Sequence, residues 1–199
     1  MPPASKRAAI AQRIRTPLHL FNCPSRRPNQ AWPNYRAYYD SDIVAFAGRM
    51  DYAANSGNQP IDESFAGPPS LAAGDDPCYP WPSTTGLSGV IFLRSELGLN
   101  NISHGTSNTY LIGEKYLNPD HYSTGTDAGD NEDLYAGFDN DNSRCTFLPP
   151  QRDRPGYSNT LRFGSAHPVG LNMAYCDGSV HFVLYGVDPE VHQQAGSRY

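Results

Sequence analysis

Apolar residues fall in short runs set between long polar stretches, and few of them hold a period. Ser5 to Ile14 suits a helix, with Ile10 and Ile14 four apart on one face, and Thr16-Pro17 ends it. Leu18 to Phe21 alternates apolar and polar and predicts a short strand closed by Cys23-Pro24. Ile43 to Ala47 reads as a strand or a turn of helix. Asp51-Tyr52 enters another strand that runs into an Asn-Ser-Gly turn. Gly89 to Leu93 and Thr109 to Tyr116 both predict strands by their β-branched and aromatic content. Gly170 to Cys176 and Val180 to Tyr185 flank Asp177-Gly178 and predict a β-hairpin closed by a two-residue primed turn. Asp188-Pro189-Glu190 starts a C-terminal helix, with Asp188 as cap and Pro189 at its first position, and Gly196 can stop it. From Gln59 to Gly86 the chain is dominated by Pro, Gly, Asp and Ser and predicts a long loop.

These elements imply an α+β fold. An N-terminal helix and a short C-terminal helix accompany an antiparallel sheet with long Pro- and Gly-rich loops. Composition supports this picture. The 199 residues suit one domain; charged residues are only 18%, while Gly and Pro number 18 each, which argues against a helical bundle. With 13 Tyr and 8 Phe the chain can still bury a core. The natural division is a basic helical arm over residues 1–15 and one globular domain over 16–199.

The net charge of −5 gives no reason to expect nucleic-acid binding. The charge is uneven, however. Residues 1–39 carry seven basic residues and no acidic one, so the rest is acidic. Lys6, Arg7, Arg13 and Arg15, with Ile10 and Ile14, either fold onto their own chain or meet the acidic face of a neighbouring copy. Cys23, Cys78, Cys145 and Cys176 allow two disulfides in three pairings, or buried free thiols.

The spacing of His167, nine intervening residues and Asp177-Gly178, inside Phe163-Gly-Ser-Ala-His-Pro and Asp-Gly-Ser-Val180, resembles the bacterial prepilin-type, processing-associated H-x9-DG family. That family is of unknown function and is also catalogued beside solute-binding proteins. Cys23-Pro-Ser-Arg-Arg27, Asp51-Tyr-Ala-Ala-Asn-Ser-Gly57, Gly89-Val-Ile-Phe92, Ile102-Ser-His-Gly-Thr-Ser-Asn-Thr109 and Gly113-Glu-Lys-Tyr116 follow the family's order. His104 stands where the family usually has Asp. The resemblance implies a pilin-like head packed on the end of an N-terminal helix, located outside the cytoplasm or at the cell surface. Its implied partners are copies of itself or a secretion or pilus apparatus. Family members usually begin with a prepilin leader and a long apolar helix. This chain begins Met1-Pro2-Pro3 and has no apolar run long enough to span a bilayer, as expected of a truncated product, an excised domain or a member without the anchor.

Catalytic motifs are missing: there is no nucleophile elbow, P-loop, dinucleotide fingerprint or His-Glu-x-x-His. If His167 and Asp177 bound the ends of one strand they would stand roughly 30 Å apart and could not share a proton or a metal. Asp139-Asn-Asp141 spaces oxygens like half a calcium loop, and Asp127 and Asp130 could complete an irregular cage, but the Gly and Glu of an EF-hand are absent. The alternative is a solvated acidic loop. Glu114 is the candidate buried carboxylate, with Arg94 or Arg162 as partner. Trp32 and Trp81, with Tyr35, Tyr38 and Tyr39, could stack on sugars or pack within loops. The expectation is therefore a non-catalytic assembly protein with no certain cofactor, calcium being the candidate. The alternatives are a glycan- or solute-binding module, and a metal-dependent hydrolase built on His104, His121 or His167 with two carboxylates.

Overall fold

The computed structural model describes residues 3–61, 65 and 67–199, and among these it has nine short strands and three α-helices. In chain order they are α1 (Pro3–Arg15), β1 (Trp32–Pro33), β2 (Phe46–Ala47), β3 (Tyr52–Asn55), α2 (Leu71–Gly74), β4 (Tyr110–Glu114), β5 (Ser143–Arg144), β6 (Gln151–Arg152), β7 (Gly164–Ser165), β8 (Gly170–Tyr175), β9 (Val180–Leu184) and α3 (Pro189–Gly196). The fold is α+β. A five-stranded sheet in the order β5-β3-β4-β8-β9 is antiparallel except for the β3–β5 pair, and β1–β2 and β6–β7 form separate two-stranded ribbons.

The β8–β9 hairpin forms where the alternation placed it, with Met173 opposite His181. Its turn differs from the expected one. Gly178 N–H donates to Tyr175 O at 3.0 Å, and Ser179 O accepts from Tyr175 N–H at 2.8 Å, so three residues form the loop. Gly178 has φ +86, whereas Asp177 is not among the residues with positive φ. A turn of this length needs one left-handed residue at its end, not two at its centre, and glycine supplies it.

Alternation along the strands divides the sheet into two faces. Ala53, Tyr110, Leu171, Met173 and Val183 point inward and pack with Phe163 and with Ala195 of α3. Strands β4 and β8 meet closely at Gly113, where a Cβ would lie 2.1 Å from Met173 Sδ. Helix α3 is capped as expected, with Asp188 Oδ1 accepting from Glu190 and Val191 N–H. The Asn55 side chain ties β3 to the end of α3 by donating to Gly196 O at 3.0 Å, and to β4 by donating to Tyr110 O at 2.8 Å.

Two expected strands are absent. His19–Phe21 is a 3-10 turn. Gly89 to Leu93 makes no strand because its backbone bends around Asn55, whose carbonyl accepts from both Val90 and Ile91 N–H. Arg94 then leaves at φ +57. The loop expected from Gln59 to Gly86 falls partly outside the described residues and holds the short helix α2.

The arm does not stand apart. Helix α1 packs Ala11 and Ile14 on Val44 and Ala47, with Ile10 and Tyr38 at the edge, as a second core on the β1–β2 ribbon. The resemblance placed this helix against the main sheet; α3 contributes to that core instead. Lys6 pairs with Asp40 at 2.6 Å and Arg7 with Asp42 at 3.0 Å, while Arg13 lies over the Tyr135 ring. Lys6, Arg7 and Arg13 thus have partners within the chain while the paired side chains stay about half exposed. Arg15 remains exposed. All four cysteines are free.

Candidate functional site

The motifs read separately in the sequence converge on one buried place. Cys23-Pro24 follows the 3-10 turn, and its tight turn is closed by Arg26 N–H on Cys23 O. Asp51, just before β3, accepts Cys23 N–H at 2.8 Å. The buried Arg26 guanidinium binds Asp153 at 2.9 Å and Asp51 at 3.2 Å, and donates to Lys115 O at 2.6 Å. Arg27 binds Asp51 at 2.8 Å and Asp130 at 2.5 Å. This network anchors residues 23–27 against β3 and the end of β4.

So anchored, the Cys23 thiol faces Glu114 of β4 and His167 of the β7–β8 connection. His167 Nε2 lies 3.3 Å from Glu114 Oε1 and 3.9 Å from Cys23 Sγ. Glu114 is fully buried, and its carboxylate is held from the other side. Ser165 Oγ donates to Oε1 at 2.8 Å, and Asn172 N–H donates to Oε2 at 2.6 Å. Tyr185 fixes the His167 loop by donating to His167 O at 2.9 Å and Ser165 O at 3.0 Å. Burial, and then the neighbouring Glu114 charge, push the Cys23 thiol up. Burial and the same two neighbours push Tyr52 up to about 12. His167 alone of the three keeps contact with solvent, its side chain being 26% exposed.

The arrangement is not a nucleophilic relay. A Cys–His–carboxylate relay uses both ring nitrogens, one toward the sulfur and one toward the carboxylate. Here the same nitrogen, Nε2, faces both. Among the described residues these three make the one group of His, Cys and acidic side chains whose ligand atoms lie within 4.8 Å of one another.

The other candidates separate. Asp177 stands at the far end of β8 from His167 and accepts Ser179 N–H and Oγ, bonds that lower its carboxyl. Glu114 pairs with neither Arg94 nor Arg162 but with Ser165, Asn172 and His167. Asp127, Asp130 and Asp141 are buried, so the acidic segment is not a solvated loop. Nor do they share a cage with Asp139. Asp127 accepts Asn118 and Gly129 N–H, Asp130 is held by Arg27 and Lys115, and Asp141 accepts Glu132 N–H. Asp139 accepts Asp141 N–H. Among the described residues neither His104 nor His121 joins a convergent group, and His167 meets one carboxylate rather than two. Trp32 lies in β1, while Trp81 packs with Phe65 and Tyr79 beneath Arg94.

A groove that the sequence did not announce lies on the outer face of the sheet, beside this cluster. It encloses about 770 Å³. Tyr52, Ala54, Ile112 and Ala174 form its floor, and Leu20, Phe21, Ile91, Phe92, Leu93 and Phe138 its walls. Its signal is the apolar run Gly89–Leu93: an apolar run that joins no strand is free to line a cavity. Tyr52 belongs to both places, standing opposite Glu114 in the β3–β4 ladder.

Residues 2–190 match the family described as protein of unknown function (DUF1559). No curated protein and no solved structure matches the chain.

Proposed function

The chain belongs to the DUF1559 family of proteins of unknown function, and on that premise we propose that it is a non-catalytic binding module that holds an apolar solute on the outer face of its sheet, outside the cytoplasm. The observation that carries this reading is the groove. Its 770 Å³ falls within the range of about 300–1,000 Å³ that ligand sites occupy, and its lining is mostly aliphatic and aromatic, with Arg94, Ser95, Asn142 and Ser143 as the polar members. Its floor is rigid sheet, so the site is preformed. Glycan stacking has less support, because neither Trp32 nor Trp81 lines this groove. The test is binding of anilinonaphthalene sulfonate and its displacement by dodecanoate. Ile112, 38% exposed on the floor, accepts a polar replacement without disturbing the core behind it. Ile112→Asp should weaken probe binding at least about tenfold, a factor worth about 1.4 kcal/mol. Equal binding by the two proteins would refute the groove as the site.

Self-assembly, the reading implied by the pilin-like resemblance, has one specific observation in its favour. Strand β9 is an edge of the five-stranded sheet and exposes Val180, Phe182 and Leu184. An apolar edge with free backbone groups is a template for pairing with another chain. Light scattering of the wild type against Phe182→Lys tests it: assembly through this edge requires a larger species that the lysine removes.

A further inference from the structure

The Cys23, Glu114 and His167 cluster brings together three chemically different donors from distant parts of the chain. A thiol, a carboxylate and an imidazole are the ligand types of zinc-class ions. Tetrahedral coordination at the usual bond lengths sets sulfur and nitrogen about 3.5 Å apart and nitrogen and oxygen about 3.4 Å apart. The observed separations are 3.9 Å and 3.3 Å, so the thiol needs to move by only a few tenths of an ångström. A single nitrogen, Nε2, lies near both partners, so the three donor atoms gather around one point within 4.8 Å of one another.

The surroundings suit an ion as well. Metal-binding carboxylates are held by hydrogen bonds from behind, and Glu114 has these from Ser165 and Asn172. Cys23 is held by Asp51 through its own N–H. A thiolate and a carboxylate carry two negative charges, which a dication cancels where Cys23 and Glu114 are buried. His167, 26% exposed, is where the cluster meets solvent.

We propose that Cys23, Glu114 and His167 form a binding site for a divalent transition-metal ion of the zinc class, completed by water. Binding forms one bond to each side chain and releases the thiol proton to solvent. The ion fastens the residue 23 turn and the His167 loop to the centre of β4.

Cobalt(II) chloride added to chelator-treated full-length protein tests this directly. A thiolate-to-cobalt charge-transfer absorption should rise to one equivalent, and zinc should bleach it. Cys23→Ser should abolish the band. His167→Ala, at a partly exposed position, should weaken zinc binding tenfold or more while leaving the circular dichroism spectrum intact. Cys78→Ser, at an exposed cysteine outside the site, should change nothing. No binding, cobalt binding without a thiolate band, or a band that survives in Cys23→Ser would overturn the proposal. It would then leave a plain histidine–glutamate contact. A misfolded Cys23→Ser protein does not remove the test, because the wild-type band and the His167→Ala affinity decide it.

Discussion

Lys115 and Asp130 face each other at 3.0 Å with both side chains closed to solvent. Arg27 reaches the same carboxylate at 2.5 Å. Burial pushes the Asp130 carboxyl up, but the Arg27 and Lys115 charges outweigh it and hold the group well below the usual carboxylate range. Removing the shared anion leaves buried Lys115 with carbonyl partners alone and Arg27 with Asp51 as its one remaining carboxylate. Asp130→Ala should therefore cost about 3–5 kcal/mol in a urea unfolding titration at pH 7. The sign of the pH dependence follows. A carboxyl with a lowered folded pKa contributes in full above its unfolded value and is lost as pH falls below it. Wild type should lose stability steeply below roughly pH 4, and the variant less so.

Gly178 isolates the backbone component of the hairpin. A Cβ there would meet nothing within 4 Å, so any cost of substitution comes from φ +86 alone. Gly178→Val should lower stability by roughly 1–3 kcal/mol, and Gly178→Asn by much less, since asparagine tolerates the left-handed region. Thermal melts that place both variants together would show that the turn is not under this constraint.

His192 of α3 is fully buried against the Tyr110 ring, and neither ring nitrogen has a partner. Burial pushes its pKa down to about 4. The unfolded chain thus binds a proton that the fold refuses between about pH 6.5 and 4. The fold should lose up to about 3 kcal/mol as pH falls through that window. His192→Phe keeps the ring contact and removes the titration. Between pH 6.5 and 5 it should lose less stability than the wild type as pH falls.

The parts of this fold that were legible in the sequence are those whose causes are local. The β8–β9 hairpin is written in alternation around Asp177-Gly178, and α3 in the Asp188-Pro189 start. Gly89–Leu93 has the composition of a strand, yet Asn55, more than thirty positions earlier, draws two of its N–H groups to one carbonyl. No window around Val90 contains that fact. The site follows the same rule. His167 and Glu114 were both visible as unusual, one by its spacing and one as an acid in an apolar strand. What joins them is the β4–β8 register, which sets Gly113 opposite Met173 and so brings Asn172 to Glu114. Cys23 enters only because Arg26 and Arg27 pin its turn to Asp51, Asp153 and Asp130. The calcium-like spacing at Asp139-Asn-Asp141 illustrates the converse. The pattern is present, but Asp139 Oδ1 and Asp141 Oδ1 accept separate backbone N–H groups and Asp130 is held by Arg27 and Lys115, so the carboxylates do not converge.

Helix α1 offers a sharp test of whether charge or burial holds the N-terminal segment. Its ion pairs, Lys6–Asp40 and Arg7–Asp42, have side chains about half exposed. Such pairs contribute about 0–1 kcal/mol and are screened by salt. Ile14 is 3% exposed and fills the second core with Ala11, Val44 and Ala47. Truncating it leaves a cavity, and Ile14→Ala should cost about 2–5 kcal/mol. Lys6→Ala and Arg7→Ala together should cost under about 1 kcal/mol, and that small loss should vanish in molar salt. Deleting residues 1–15 should then behave like Ile14→Ala made worse, because Val44 and Ala47 lose their cover. The truncated protein should melt lower and bind anilinonaphthalene sulfonate at a new site that Ile112→Asp does not abolish. A truncated protein that melts with the full chain would mean that the helix is a detachable arm, and that its basic face is free to serve another partner.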